Sequence, residues 1–227
     1  MGREQSIQRI FMAISYGKIR EKATAETPNA IARELKDKSK VYELVYDSIS
    51  GILEDVVFVD DPKYGKQWKL RIKDGSEHYQ VQVLEDSRYG LDLLKKLPNL
   101  RKGGIYRFKP YDFTRNNKRK AGIAITDQTD QKIESFFQKF TGSDAEGWTV
   151  EDLHGFPPFT GNARDKDDLK VYFIQVAKFL RTKALEHINS NFLAGAPAIP
   201  ATVLDDTSHT VPDTNEFPPP GDDDLPF

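Results

Sequence analysis

Three patterns predict a mainly β fold with added helices. Stretches rich in β-branched and aromatic residues recur between turn-forming clusters, and the clearest of them, Gln67–Lys73, alternates Trp68, Leu70 and Ile72 with Lys69, Arg71 and Lys73. Helical spacing is confined to a few separate stretches, above all Ser87–Leu97 and Lys166–Asn191. From residue 194 onward the chain becomes rich in Pro and Asp and cannot contribute to a core. At 227 residues and 38% hydrophobic content, the chain suffices for one core with a small remainder.

Taken in order, Ile7, Ile10, Phe11 and Ile14 alternate loosely, and Ile10–Arg20 is expected as one strand. Residues 23–40 are polar and read as a surface excursion with a short helix at Asn29–Leu35. Val41–Tyr46 and Ile49–Val59 suit a long strand bent near Gly51, where a missing side chain favours a bulge or corner. Asp60–Gly65 has turn composition, and Asp74-Gly75 is a hairpin turn between Gln67–Lys73 and the alternating Tyr79, Val81 and Val83. Ser87–Leu97 presents Leu91, Leu94 and Leu97 on one face and stops at Pro98. Ile105–Lys109 resumes strand and leads into Tyr111 and Phe113, and a polar loop, Thr114–Lys120, joins it to Gly122–Thr126. The order β-β-β-α-β-β is that of an OB-fold, a five-stranded Greek-key barrel with its helix between strands three and four. Beyond it, Gln131–Phe140 has helical spacing, Trp148–Phe159 is irregular, and Lys166–Asn191 is a long amphipathic helix packing on the barrel or on a neighbouring subunit. The expected divisions are an N-terminal strand and excursion (1–40), the barrel (41–127), a helical extension (128–193) and a disordered tail (194–227).

Charge is divided unevenly. Residues 205–227 carry seven acidic residues and no Lys or Arg, so the first 204 hold all 33 basic residues and 28 of the 35 acidic ones. A body near +5 bears a tail near −7, and the tail ends in Asp222, Asp223, Asp224, Leu225, Pro226 and Phe227. An acidic tail can confer solubility, can compete with polyanions for the body's basic surface, or can serve as a peptide ligand. Only the last reading explains an apolar tip, with Phe227 filling a pocket while carboxylates meet a basic rim.

That tip resembles the end of bacterial and phage single-stranded-DNA-binding proteins, an acidic run followed by Ile-Pro-Phe, with Leu225 standing where Ile is usual. The body is longer than the usual bacterial member and lacks its Gly/Gln-rich linker. It is more similar to the larger phage-encoded members, through its strand pattern. The resemblance implies a protein that coats single-stranded DNA and recruits replication, recombination and repair proteins through the tip.

Other classes find little support. With no Cys there are no disulfides or thiolate metal sites, which fits a reducing cytosol. No stretch has signal-peptide or membrane-span length, so a cytoplasmic protein is expected. His78, His154, His187 and His209 are scattered, and no phosphate-loop, nucleophile-elbow or zinc-protease motif occurs. Asp60-Asp61 and Asp167-Asp168 are explained by turn and helix-start chemistry. Neither catalysis, metal nor cofactor is expected.

Binding residues are easier to nominate. A single strand is held by cations tracking phosphates and by aromatics stacking on bases. Lys69, Arg71 and Lys73 share one strand face, Arg107 and Lys109 another, and Arg115, Lys118, Arg119 and Lys120 crowd the loop between strands four and five. In an OB-fold these are the face and loop that hold the strand. Tyr64, Tyr111 and Phe113 lie near turns beside basic residues and are stacking candidates. Trp68 is a further one, although its alternation with Leu70 and Ile72 equally suits the core. An RNA-binding protein on the same barrel, and an adaptor that binds protein alone, remain the alternatives.

Overall fold

The computed structural model describes residues 7–35, 38–115, 118–143 and 147–192. It is mainly β, with one nine-stranded sheet curled into a half-barrel, a separate two-stranded hairpin and two α-helices. The strands are β1 (Ile10–Ser15), β2 (Lys18–Ala23), β3 (Ile31–Glu34), β4 (Lys40–Tyr46), β5 (Ile49–Asp61), β6 (Gly65–Asp74), β7 (Glu77–Leu84), β8 (Ile105–Arg115), β9 (Lys118–Asp127), β10 (Gln138–Ser143) and β11 (Gly147–Asp152). Helix α1 spans Arg88–Lys96 and α2 spans Lys166–Asn191. The large sheet runs β3-β4-β2-β1-β7-β6-β5-β8-β9, and β10 pairs with β11.

Several local expectations are corrected. Ile10–Arg20 is not one strand, because Tyr16 and Gly17 both take positive φ (51° and 68°) and reverse the chain between β1 and β2. Asn29–Leu35 is not a helix. Asn29 is left-handed (φ 65°), and Ile31–Glu34 instead pairs with β4, where Arg33 grips Glu43. Gln131–Phe140 also forms no helix. Its backbone bonds outward, Ile133 N–H to Ile125 C=O (2.8 Å) and Phe136 N–H to Lys95 C=O (2.8 Å), so Ile133, Phe136 and Phe137 reach the core from an extended chain while Phe140, in β10, stays exposed. Thr114–Lys120 is mostly not a loop, since Thr114 and Arg115 belong to β8 and pair with Arg119 and Lys118 of β9. Within the stretch expected to be irregular, Gly147–Asp152 is β11.

Val41–Val59 is not one long bent strand, since β4 ends at Tyr46 and pairs with β2 and β3 while β5 begins at Ile49 and pairs with β6 and β8. The segment from β5 to β9 keeps the expected chain order, with α1 between its third and fourth strands. β5 pairs with both β6 and β8, which gives the spatial order β7-β6-β5-β8-β9. Gly51 lets β6 approach, since a Cβ there would come 2.5 Å from the Lys73 carbonyl, and a bulge follows between Leu53 and Asp55. No β7–β9 pairing closes the ring among the described residues. β7 gives its outer edge to β1 in parallel pairing. The outer edge of β9 is served by side chains of α1. Asp92 Oδ2 accepts from the Ile123 N–H (2.7 Å), Lys96 Nζ donates to the Ile123 carbonyl (2.6 Å), and Arg88 Nη1 donates to the Arg119 carbonyl (2.8 Å). A helix thereby protects an edge that would otherwise template aggregation.

The core lies inside the curl. Trp68, Leu70 and Ile72 of β6 are fully buried, with Leu53, Val56, Val81, Val83, Ile123 and Ile125 from neighbouring strands. Tyr106 and Phe108 form a buried edge-to-face pair at 6.3 Å. Ser87 caps α1 by accepting from the Gly90 N–H (3.0 Å), and Leu93 and Leu94 seal the end of the core. Asp165 caps α2, which buries Val176, Leu180, Ala184 and Ile188 at four-residue spacing. Glu85, almost fully buried, ties α2 to the sheet by accepting from Trp68 Nε1 (3.2 Å) and Arg181 Nε (2.8 Å). No helix among the described residues is long and apolar enough to cross a membrane.

Candidate nucleic-acid interface

Strand alternation decides which candidate side chains share a surface. On β6, burying Trp68, Leu70 and Ile72 turns Lys69, Arg71 and Lys73 to the outer face, where all three are half-buried. Trp68 itself is 0% exposed, 5.0 Å from Phe58, and is therefore a core residue and not a stacking platform. Register carries this outer face onward, because Lys73 is opposite Ile52 on β5 and Ile52 is opposite Ile105 on β8. Arg107, Lys109, Tyr111, Phe113 and Arg115 follow at alternate positions, with Lys120 opposite Phe113 and Lys118 opposite Arg115. The side chain of Lys118 lies outside the described residues.

One continuous face thus gathers most of the nominated cations. Arg71 pairs with Asp55 (3.2 Å) and Arg107 with Asp130 (3.3 Å). Lys69, Lys73, Lys109 and Lys120 have no ion-pair partner among the described residues, so their charge is available to an anion. Ile52, Ile105 and Phe113 are 40%, 45% and 48% exposed on the same face. Phe113 lies 5.8 Å from Tyr111, whose phenol burial pushes up to about 12 with help from Asp92, so that ring stays neutral.

Two nominated residues stand apart. Arg119 alternates to the opposite side of β9 from Lys120 and makes a bidentate pair with Asp112 (2.9 and 2.6 Å). Its charge holds the fold together and is not free for phosphate. Tyr64 sits in the β5–β6 turn, at the far end of that hairpin from the β8 contact, with Lys63 Nζ 4.7 Å over its ring. Asp222, Asp223, Asp224, Leu225, Pro226 and Phe227 lie outside the described residues.

The other carboxylate pairs behave as turn and cap groups. Asp61 accepts from the Lys63 and Tyr64 N–H groups (2.8 and 2.9 Å), and Asp168 from the Asn162 N–H (2.8 Å). Among the described residues no three His, Asp or Glu side chains are grouped to hold a metal. A cleft of about 370 Å³ on the inner side of the sheet is lined by Glu21, Asp74, Glu77, Tyr46 and Tyr79. Burial and the Glu21 hydrogen bond (2.8 Å) push the Tyr46 phenol up to about 12, and the three carboxylates would repel phosphate. The cleft is thus the wrong sign for a polyanion, and the outer face the right one.

Two exposed features were not nominated from the sequence. Tyr16 is 46% exposed at the β1–β2 turn, which the Tyr-Gly dipeptide between two alternating runs could have signalled. The exposed Ile52/Ile105 pair joins the two basic strands, and only the β5–β8 register brings it together. No protein-family model, curated protein or solved structure matches this chain.

Proposed function

We propose that this protein binds single-stranded DNA without regard to sequence, on an OB-type barrel formed by β5 to β9, and that it is a binding protein with no catalytic role. The observation that carries the reading is the continuous outer face from Lys69 to Lys120, with cations at alternate strand positions around exposed Ile52, Ile105 and Phe113. Its cations would track phosphates and its apolar and aromatic residues would support unpaired bases. The spatial order β7-β6-β5-β8-β9, with α1 between the third and fourth strands, supports the OB-type reading, with β1 and α1 standing in for the closing pair. The Asp222–Phe227 tip supports a role in DNA replication, recombination and repair. It would compete for the basic face and dock on partner proteins.

The test is a fluorescence-anisotropy titration with oligo-dT and a matched duplex, at two salt concentrations, on the full chain and on a version ending at Gly221. The expected result is tight, salt-sensitive binding of the single strand that strengthens without the tip. A matched RNA oligonucleotide separates the RNA reading, since only the 2′-hydroxyl differs at a site. Failure of both versions to bind any oligonucleotide would leave a basic barrel with a docking tail, and the adaptor reading would replace this one.

A further inference from the structure

We propose that Tyr16, at the tip of the β1–β2 hairpin, is a base-stacking residue that extends the single-strand path from β8 onto the N-terminal hairpin. The inference rests on the reading above and adds to it a residue that the sequence did not nominate. A turn that breaks a local rule is the first observation. A two-residue hairpin turn with both residues at positive φ favours Asn or Gly in its first position, because a bulky side chain crowds the left-handed backbone. Tyr16 occupies that position at φ 51°. Gly17 follows at φ 68° and has no alternative, since a Cβ on it would lie 2.7 Å from the Asp112 backbone nitrogen. Nothing comparable compels Tyr16. Its ring is 46% exposed and outside the core, so folding gains little from a large aromatic there. Local rules broken without a folding gain concentrate at functional positions.

Placement is the second, independent observation. The Gly17 N–H donates to the Tyr89 hydroxyl (2.7 Å), which donates to Asp112 (3.0 Å), the carboxylate that also holds Arg119. This chain fixes the hairpin tip against the backbone of Tyr111 and Asp112, one residue along β8 from Phe113. Lys18, next along the hairpin, pairs with Asp47 (2.5 Å), and the same carboxylate feels the charge of Lys109. The hairpin tip, with Tyr16 and Lys18 on either side of Gly17, thus meets β8 at the seam near Tyr111, with Lys109 close to the Lys18–Asp47 pair. The Tyr16 ring lies 5.6 Å from the Arg20 guanidinium, which Glu43 holds in turn (2.6 Å). A ring backed by a fixed cation is ordered while its remaining surface meets solvent, the arrangement a stacked base requires.

Tyr16→Asn separates stacking from folding, because it installs the residue the turn prefers while removing the ring. The expected result is an unchanged or higher melting temperature with oligo-dT affinity lowered about tenfold. The salt dependence should keep its slope, since no charge is lost. Tyr16→Trp should restore affinity, and its added fluorescence should be quenched on binding oligo-dT. Wild-type affinity in Tyr16→Asn, or a loss that Tyr16→Trp does not restore, would overturn the role of Tyr16 while leaving the wider reading intact. Absence of oligo-dT binding by the wild-type protein would overturn both.

Discussion

At the scale of single residues, neighbouring side chains on one strand do opposite work, and substitutions should separate them. Trp68 is fully buried beside Leu70 and Ile72, so Trp68→Ala should cost ~3–5 kcal/mol of stability in a denaturant titration through the cavity it leaves. Lys73 and Lys109 point outward without an ion-pair partner among the described residues, so Lys73→Gln and Lys109→Gln should leave that titration unchanged. Each should instead reduce the slope of log affinity against log salt by about 0.7, the contribution of one neutralised phosphate on a single strand. Arg119 belongs with Trp68. Its hydrogen bond is the main cause that holds the Asp112 carboxyl below the ordinary range, against burial and with help from Tyr89. A depressed carboxylate contributes stability above its unfolded pKa, and that contribution disappears as pH falls through the folded value. Urea midpoints should therefore fall between pH 5 and pH 3, taken as roughly the lower carboxylate range, and Arg119→Ala should lower the pH 7 midpoint and flatten this acid dependence. Alternation made the face of Arg71 and Lys73 legible in the sequence. It gave no guide for Arg119, because a segment read as a loop carries no alternation until it is known to be strand.

Among the elements, those with a period and a cap were legible. Ser87 and Pro98 bound α1 from either side, and α2 runs over Lys166–Asn191 behind its Asp165 cap, as its spacing predicts. The segments that misled are those whose partner is remote in sequence. Ile31–Glu34 becomes a strand only because β4 lies beside it, and Gln131–Phe140 stays extended because Ile125 and Lys95 take its backbone hydrogen bonds. Local propensity has no access to such partners. The least foreseeable feature is the α1 cap on β9, which substitutes side chains for a strand. Lys96 is nearly buried, and its ammonium is shared between Asp92 (2.7 Å) and the Ile123 carbonyl. Asp92→Ala removes the acceptor for the Ile123 N–H and leaves that ammonium poorly compensated, which should cost ~3 kcal/mol. Hydrogen exchange provides the sharper reading, since protection at the Ile123 amide should fall well before that of the β6 amides. Uniform loss of protection would mean that α1 merely covers the edge.

For the whole molecule, the division of charge makes a prediction that no single element does. The first 204 residues are near +5 and the last 23 near −7, and the face of β6, β5, β8 and β9 carries Lys69, Lys73, Lys109 and Lys120 with no ion-pair partner among the described residues. A tethered polyanion competes at an effective concentration set by the tether, so its effect on oligonucleotide binding is electrostatic and concentration-independent. Salt should weaken it together with the phosphate contacts, because the screening length contracts from about 10 Å at 0.1 M to about 3 Å at 1 M. Removal of Asp222–Phe227 should therefore tighten oligo-dT binding at low salt, and the two affinities should converge as salt rises. A solubility tail would predict parallel lines with no offset. A peptide ligand that never touches the basic face would predict the same lines, with lost capture of partner proteins as its separate signature. Replacement of Leu225 and Phe227 by Ser, with the three aspartates kept, distinguishes the two roles. Competition should survive this change because the charge is intact, while partner docking should fail because the apolar anchor is gone. Tightened oligo-dT binding in that variant would show that the competitor is the apolar tip and not the acidic run.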